Sequence, residues 1–386
     1  MAYTIHANFT TPLINMATSS PTLTTLTVEN ITDNSNLTDD SLTGLARFMS
    51  AYRPIHGYAA PVICVLGIIA NCLNIVVLTR KNMISPTNVL LTGLAISDGL
   101  TMLVYLPYSV LNYHIYSEHT PSPLSNARFI MFFAIFSVVV HSISIWLTVS
   151  LAVFRYVFIR YPRQGAKLCS TYRAKLTVFI VSVVVTLVCI PNSVSYTFQT
   201  AYIANNQTTW YIDVRMDTSG YRFLKTFNLW IQATLVKLLP CLLLAVLSIL
   251  LIKQMKDAED RRKKLLSKTN SKVEDDSRRH RKTNRTTRML VVVVVLFVIT
   301  ETPQGILQLL GGIIQGFFTD VYGHLGDLMD TVALFNNGIN FVLYCTMSKQ
   351  FRDTFIKIFL SNIVKASGIP SETQLMTVKT TRVSEV

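Results

Sequence analysis

The chain has 386 residues, half of them hydrophobic, a formal net charge of +14 and a positive mean hydropathy. Its apolar residues stand in long blocks instead of alternating with polar ones, which excludes an ordinary soluble domain and points to membrane spans. The basic excess is unevenly placed and lacks interleaved aromatic and basic stretches, so it does not describe a nucleic-acid surface.

Residues 1–56 are rich in Thr, Ser and Asn and lack the charged-then-apolar start of a cleavable signal peptide. They are expected to form a disordered outer tail, with the first span as signal anchor. Seven apolar blocks follow, at 57–79, 87–113, 128–159, 174–199, 224–252, 287–318 and 321–347. Each is long enough to cross about 30 Å of hydrocarbon as a helix. The expected fold is therefore an all-α membrane protein, with a seven-helix bundle over residues 57–347. "SKQFRDTFIKIFL" (Ser348–Leu360) puts Phe351, Phe355, Ile356 and Phe359 on one helical face, with Lys and Arg opposite. It reads as a short amphipathic eighth helix on the inner membrane surface, and residues 348–386 form this helix and a cytoplasmic tail.

Basic residues orient the bundle. Arg80 and Lys81 follow span 1, Arg160 to Lys175 follow span 3, Lys253 to Arg288 follow span 5, and Lys349, Arg352 and Lys357 follow span 7. The alternate loops are poor in Lys and Arg, which puts the N-terminus outside and the C-terminus inside, as expected at the plasma membrane. The sequons at Asn8, Asn30, Asn36 and Asn206 all fall on the outer side as glycosylation candidates, while Asn284 falls inside. The six cysteines include no pair on outer segments and no CxxC, so neither an outer disulfide nor a zinc site is expected.

Few ionisable residues sit inside the spans: Asp98, His141, Lys237, Glu301, Asp327 and Asp330. A charge at mid-membrane costs about 2.5–3.5 kcal/mol on insertion scales. Counting helical rise from the inner ends places His141, Lys237, Glu301 and Asp330 at one level, about 20–24 Å above the inner boundary. These four are the candidate ligand-binding residues. Glu301 is too central to reach the surface, and pairing with His141 or Lys237 would satisfy it. A deeper layer holds Asn71, Asp98, Ser144, Asn336 and Asn340. Asp98, Ser144 and Asn336 offer oxygen ligands to one small hard cation such as sodium; no other cofactor is expected.

"SLAVFRYVFIRYP" carries Arg155-Tyr156 at the inner end of span 3, "LAISD" ends at Asp98, "GIIANCLNIVVL" contains Asn71, and "NFVLY" runs from Asn340 to Tyr344. With Pro191, Pro240 and Pro303 in spans 4 to 6, this set resembles the rhodopsin-like G-protein-coupled receptors over residues 57–361. Departures stand beside the match: Phe154 replaces the acidic residue before the arginine, Glu301 the tryptophan before the span-6 proline, and Phe341 the proline after Asn340. The cysteine expected near Ile130 and its partner in the second outer loop are both missing. "YRPIHGYAAPVICVLG", "ETPQGILQLL" and "NNGINFVLYCTMSKQFR" resemble the invertebrate myosuppressin and FMRFamide-like peptide receptors, with the sex-peptide/myoinhibitory-peptide receptors as the rival reading.

The resemblance implies an amidated neuropeptide ligand with an Arg-containing end. It implies coupling to an inhibitory G protein through Arg155, Tyr156, Asn340 and Tyr344, and arrestin docking on tail hydroxyls such as Ser367 and Thr373. The terminal "SEV" fits a PDZ ligand. A transporter or channel is the alternative class, disfavoured by the lack of an inverted repeat. A retinal photoreceptor would need a Schiff-base lysine in span 7, and 321–347 contains none; no GxSxG or HExxH motif suggests an enzyme.

Overall fold

The structure is a computed structural model and describes residues 35–116, 120–203, 207–215, 218–266, 274–314, 316–317 and 321–360. Helix α1 runs Ser35–Leu78, so it begins well ahead of residue 57, where composition places the end of a disordered tail. Tertiary partners account for the difference. Tyr52 donates to Thr331 Oγ1 at 2.9 Å, the Arg53 guanidinium lies 5.6 Å from the Tyr113 ring centroid, and His56 is fully buried. Weak helix propensity in a polar stretch yields to such contacts. Asn8 and Asn30 lie outside the described residues, as does Asn206, while Asn36 lies within α1.

Helix α2, Pro86–Val110, starts with Ser85 accepting from the Asn88 N–H at 3.2 Å and Pro86 in the first turn, where its missing donor costs nothing. It continues as a π turn through Leu111–Ile115. Helix α3 spans Leu124–Arg160, and a short inner helix α4, Pro162–Leu168, leads to α5, Thr171–Val188. The fourth apolar block is expected to continue to residue 199, but the chain departs from that. After a five-residue helix α6, Ile190–Val194, it turns into an antiparallel hairpin of β1, Tyr196–Ile203, and β2, Gln207–Val214. Tyr196 lies opposite Val214, and Ile203 opposite Gln207. Here "YTFQTAYI" and "TTWYIDV", rich in aromatic and β-branched residues and separated by Asn205-Asn206, carry a strand signal. Apolar length alone reads past that signal.

Span 5 comprises α7, Ser219–Ile231, a π segment, Gln232–Leu238, and α8, Leu239–Leu266. Span 6 is α9, Glu274–Ile313, with Pro303 inside it. Span 7 is α10, Gly323–Met347, and the amphipathic eighth helix is α11, Lys349–Phe355, extended by a π turn through Leu360. Among the described residues, six helical stretches are long and apolar enough to cross a membrane. Helix α10 has the length, but Asp327, Asp330, Asn336, Asn337 and Asn340 lower its hydropathy.

The outer surface of the bundle is apolar. Leu66, Ile69, Phe179, Leu187, Leu242, Ile249 and Ile299 are each more than half exposed. Buried polar side chains, among them Asp98, Glu301 and Asp330, point inward. That inversion of a soluble protein is what a hydrocarbon solvent selects. Inside, an outer aromatic layer stacks Phe133 on Tyr108 at 4.0 Å and places Tyr105 edge-on against both. A separate inner layer seats Phe351 of α11 against Tyr344.

Gly305 lets α9 approach span 5. A Cβ there would lie 3.0 Å from Lys237 Cβ and 3.1 Å from a Leu238 methyl. Gly305→Val is expected to cost about 1–3 kcal/mol by overpacking, read as a lower melting temperature, because the Cβ carbons of the two helices cannot swing aside.

Candidate functional site

Pro240 offers no N–H to the carbonyl one turn back, and the π segment Gln232–Leu238 immediately precedes it. Lys237 lies in that segment and is only 5% exposed. Its ammonium donates to Glu301 Oε2, to Gln304 Oε1 at 2.9 Å and to His141 Nε2 at 3.0 Å. All three of its protons are thereby used. Assigning Lys237 as the donor to His141 Nε2 puts the proton of a neutral imidazole on Nδ1, and the 3.4 Å approach of Nε2 to Glu301 Oε2 is then a contact between acceptors. Lys237 therefore balances Glu301. Glu301 Oε1 and His141 Nδ1 are both buried with no hydrogen-bond partner. The cluster thus presents one unused acceptor and one unused donor. Outward from it, Gln304 and Gln308 each donate to the Tyr322 hydroxyl, at 3.3 and 3.2 Å.

Three of the four residues placed at one level by sequence meet here. Asp330 does not. Helical rise fixes height but not direction, and Asp330 faces α1 and α2, where Tyr105 donates to its Oδ2 at 3.1 Å. The Tyr105 hydroxyl also lies 3.0 Å from His56 Nε2, whose Nδ1 lies 2.7 Å from Thr331 Oγ1. Tyr113 donates to Asp327 Oδ1 at 2.6 Å, so Asp327 is held inside the bundle as well. Tyr105 and Tyr113 were not legible as polar partners, because aromatic residues in an apolar run read as core, and His56 falls by composition in the polar tail ahead of the first span.

In the deeper layer, Ser144 donates to Asp98 Oδ1 at 2.6 Å and Asn340 to Asp98 Oδ2 at 3.1 Å. Asn336 lines the same cavity, together with Thr148, Phe297 and Asn337. A carboxylate, a hydroxyl and an amide around one cavity form a hard-oxygen set of the kind sodium accepts. Asn71 bridges helices instead, donating to the Asn337 carbonyl at 3.1 Å and the Gly67 carbonyl at 3.0 Å.

At the inner end, Arg155 is half-buried, and its Nε lacks a partner. Neighbouring Phe154 offers only its carbonyl, which accepts from the Cys169 thiol at 3.5 Å. Burial pushes that loop thiol up from its ordinary value, so it stays neutral and supplies no counter-charge to Arg155. Tyr156 lies beside Arg155 in α3, half-buried. The Tyr344 hydroxyl is buried without a partner too.

A family model described as "Serpentine type 7TM GPCR chemoreceptor Srw" matches residues 58–362. The chain belongs to the seven-transmembrane G-protein-coupled receptor family. The receptor is 31% identical over 364 residues to the G-protein coupled receptor dmsr-1 of Caenorhabditis elegans, covering 83% of this chain and 71% of that protein. It is 32% identical over 323 residues to the sex peptide receptor of Drosophila melanogaster, covering 81% and 74%. It is 25% identical over 317 residues to the Drosophila FMRFamide receptor, covering 78% and 53%. The receptor is thus a multi-pass membrane protein of a signalling family and not of an enzyme class.

Proposed function

We propose that this receptor binds an amidated, Arg-containing neuropeptide of the FMRFamide or myosuppressin type on its outer side and activates an inhibitory G protein inside. The names of two relatives, a sex peptide receptor and an FMRFamide receptor, support a peptide ligand. The observation that carries the reading is the cluster of Lys237, Glu301 and His141, which is neutral overall and retains an unused acceptor on Glu301 and an unused donor on His141. A guanidinium entering from outside would compete with Lys237 for Glu301, and a bidentate Arg–carboxylate pair is the stronger one in a dry site. Balance of the buried charge then requires the Lys237 ammonium to leave the site toward water as the new pair forms.

That exchange loosens the tie between span 5 and span 6. Pro303 lies two residues from Glu301 and gives α9 a kink point, so ligand binding biases α9 toward an outward position of its inner end. The unpaired Arg155 then becomes available to a G-protein segment, with Tyr156, Asn340 and Tyr344 around the same cleft. Asp330 belongs to the pocket through Tyr105, not through Glu301. Sodium held by Asp98, Ser144 and Asn336 would favour the resting arrangement. Glycans on Asn8, Asn30, Asn36 and Asn206, and an outer N-terminus at the plasma membrane, follow from the placement of basic loops. Arrestin and PDZ contacts fall on residues 361–386, outside the described residues.

The sex-peptide or myoinhibitory reading is the second one, favoured by the 32% identity to a sex peptide receptor. Both are tested by cAMP and calcium responses of cells expressing the receptor to FLRFamide-ending, other RFamide and Trp-amide peptides. A fall in cAMP to FLRFamide-type peptides supports the first reading, and a response to Trp-amide peptides alone supports the second. Silence across the panel with surface receptor present would remove both.

A further inference from the structure

The six cysteines are all free thiols, so the hairpin β1–β2 has no covalent tie to the bundle. It is nevertheless fastened at one residue before α3. The Ser122 N–H donates to Thr209 Oγ1 at 2.9 Å, and the Trp210 N–H donates back to the Ser122 carbonyl at 2.9 Å. Asn126 of α3 donates to Ser122 Oγ at 2.9 Å. The amide, carbonyl and hydroxyl of Ser122 are therefore all engaged, and Ser122, Thr209 and Asn126 are each 5% exposed or less. Pro121 and Pro123 flank Ser122 and restrict its backbone, which presents its polar groups in a fixed direction. Tyr196, Ile212 and Val214 of the hairpin join the buried aromatic layer of Tyr105, Tyr108 and Phe133. Tyr105 is the partner of Asp330, so the height of the hairpin sets the roof over that side of the bundle.

We propose that Thr209 is a positioning residue for the peptide: through Ser122 it fixes the hairpin over the pocket by a hydrogen-bonded clasp, in the place a covalent bridge would take. The proposal rests on the peptide reading above, and its clasp is measurable without any ligand. Thr209→Val keeps the shape, removes the acceptor and leaves the Ser122 N–H buried and unpaired.

The test combines hydrogen exchange at the Trp210 amide of the ligand-free receptor with the EC50 of an FLRFamide-ending peptide at matched surface numbers. Thr209→Val is expected to speed exchange and raise EC50 about tenfold, the scale of one unsatisfied buried donor. Thr209→Ser, which restores the acceptor, is expected to return both to wild type. A reducing agent should leave wild-type potency unchanged. Wild-type exchange in Thr209→Val, or fast exchange with unchanged EC50, would overturn the proposal. Should Thr209→Val fail to reach the surface, Thr209→Ala, which also removes the acceptor, carries the test with the same two readouts. Wild-type exchange or an unchanged EC50 in Thr209→Ala would overturn the clasp. A wild-type receptor silent to the peptide panel removes the peptide reading instead, and the exchange rates then decide the clasp alone.

Discussion

Lys237→Met is expected to cost the receptor about 3–5 kcal/mol of stability, because it leaves the Glu301 carboxylate buried and uncompensated. Glu301 is 1% exposed and its Oε1 already lacks a partner, and once Lys237 is gone the neutral His141 beside it supplies no counter-charge. Glu301→Gln should cost less, since an amide keeps a hydrogen-bonding oxygen for Lys237, but it leaves the ammonium without a counter-charge. The double variant Lys237→Met/Glu301→Gln removes both charges and should recover most of the loss. In a thermal-shift double-mutant cycle the two positions would then couple by about 2 kcal/mol or more. Additive losses would mean that the two side chains are not paired. The same variants separate stability from switching: where surface numbers are matched, breaking the tie between span 5 and span 6 should raise basal signalling.

Asp98→Asn is expected to abolish any effect of sodium on peptide binding. In the native receptor both carboxylate oxygens are engaged, one by Ser144 and one by Asn340, and Asn336 completes the lining of the cavity. A cation bound there stabilises one arrangement of α2, α3 and α10, and by linkage it must weaken any ligand that favours the other. Replacing choline with sodium should therefore lower peptide affinity of the wild type about fivefold or more, the low end of common coupling energies. The asparagine keeps an acceptor for Ser144 but removes the charge and sets one amide N–H group against that of Asn340. Equal affinities in the two salts for the wild type would show that Asp98 serves as a helix-bridging acceptor only.

The bundle was legible because membrane spans are written in length and hydropathy, and the orienting charges sit in loops. Glu301, Lys237 and His141 were legible together because a central charge must find a partner and helical rise fixes depth. Asp330 was misplaced for the same reason: depth says nothing of direction, and only packing shows that it faces Tyr105 and α1. The start of α1 was misjudged because Tyr52, Arg53 and His56 derive their order from residues far along the chain, such as Thr331 and Tyr113. The start of the hairpin was not legible because Tyr196 and Phe198 fall within the fourth apolar block, 174–199. The clasp at Ser122 rests on three backbone groups and a threonine hydroxyl, and no side-chain pattern announces it.

Peptide recognition is proposed to turn on an exchange of cations at Glu301. The direct measurement compares an FLRFamide-ending peptide with the same peptide carrying citrulline for arginine, on the wild type and on Glu301→Gln at matched surface expression. Citrulline keeps the shape and removes the charge. The citrulline peptide is expected to lose much potency on the wild type and little or none on Glu301→Gln, because the carboxylate that reads the charge is gone. An equal loss on both receptors would place the guanidinium elsewhere and contradict the exchange.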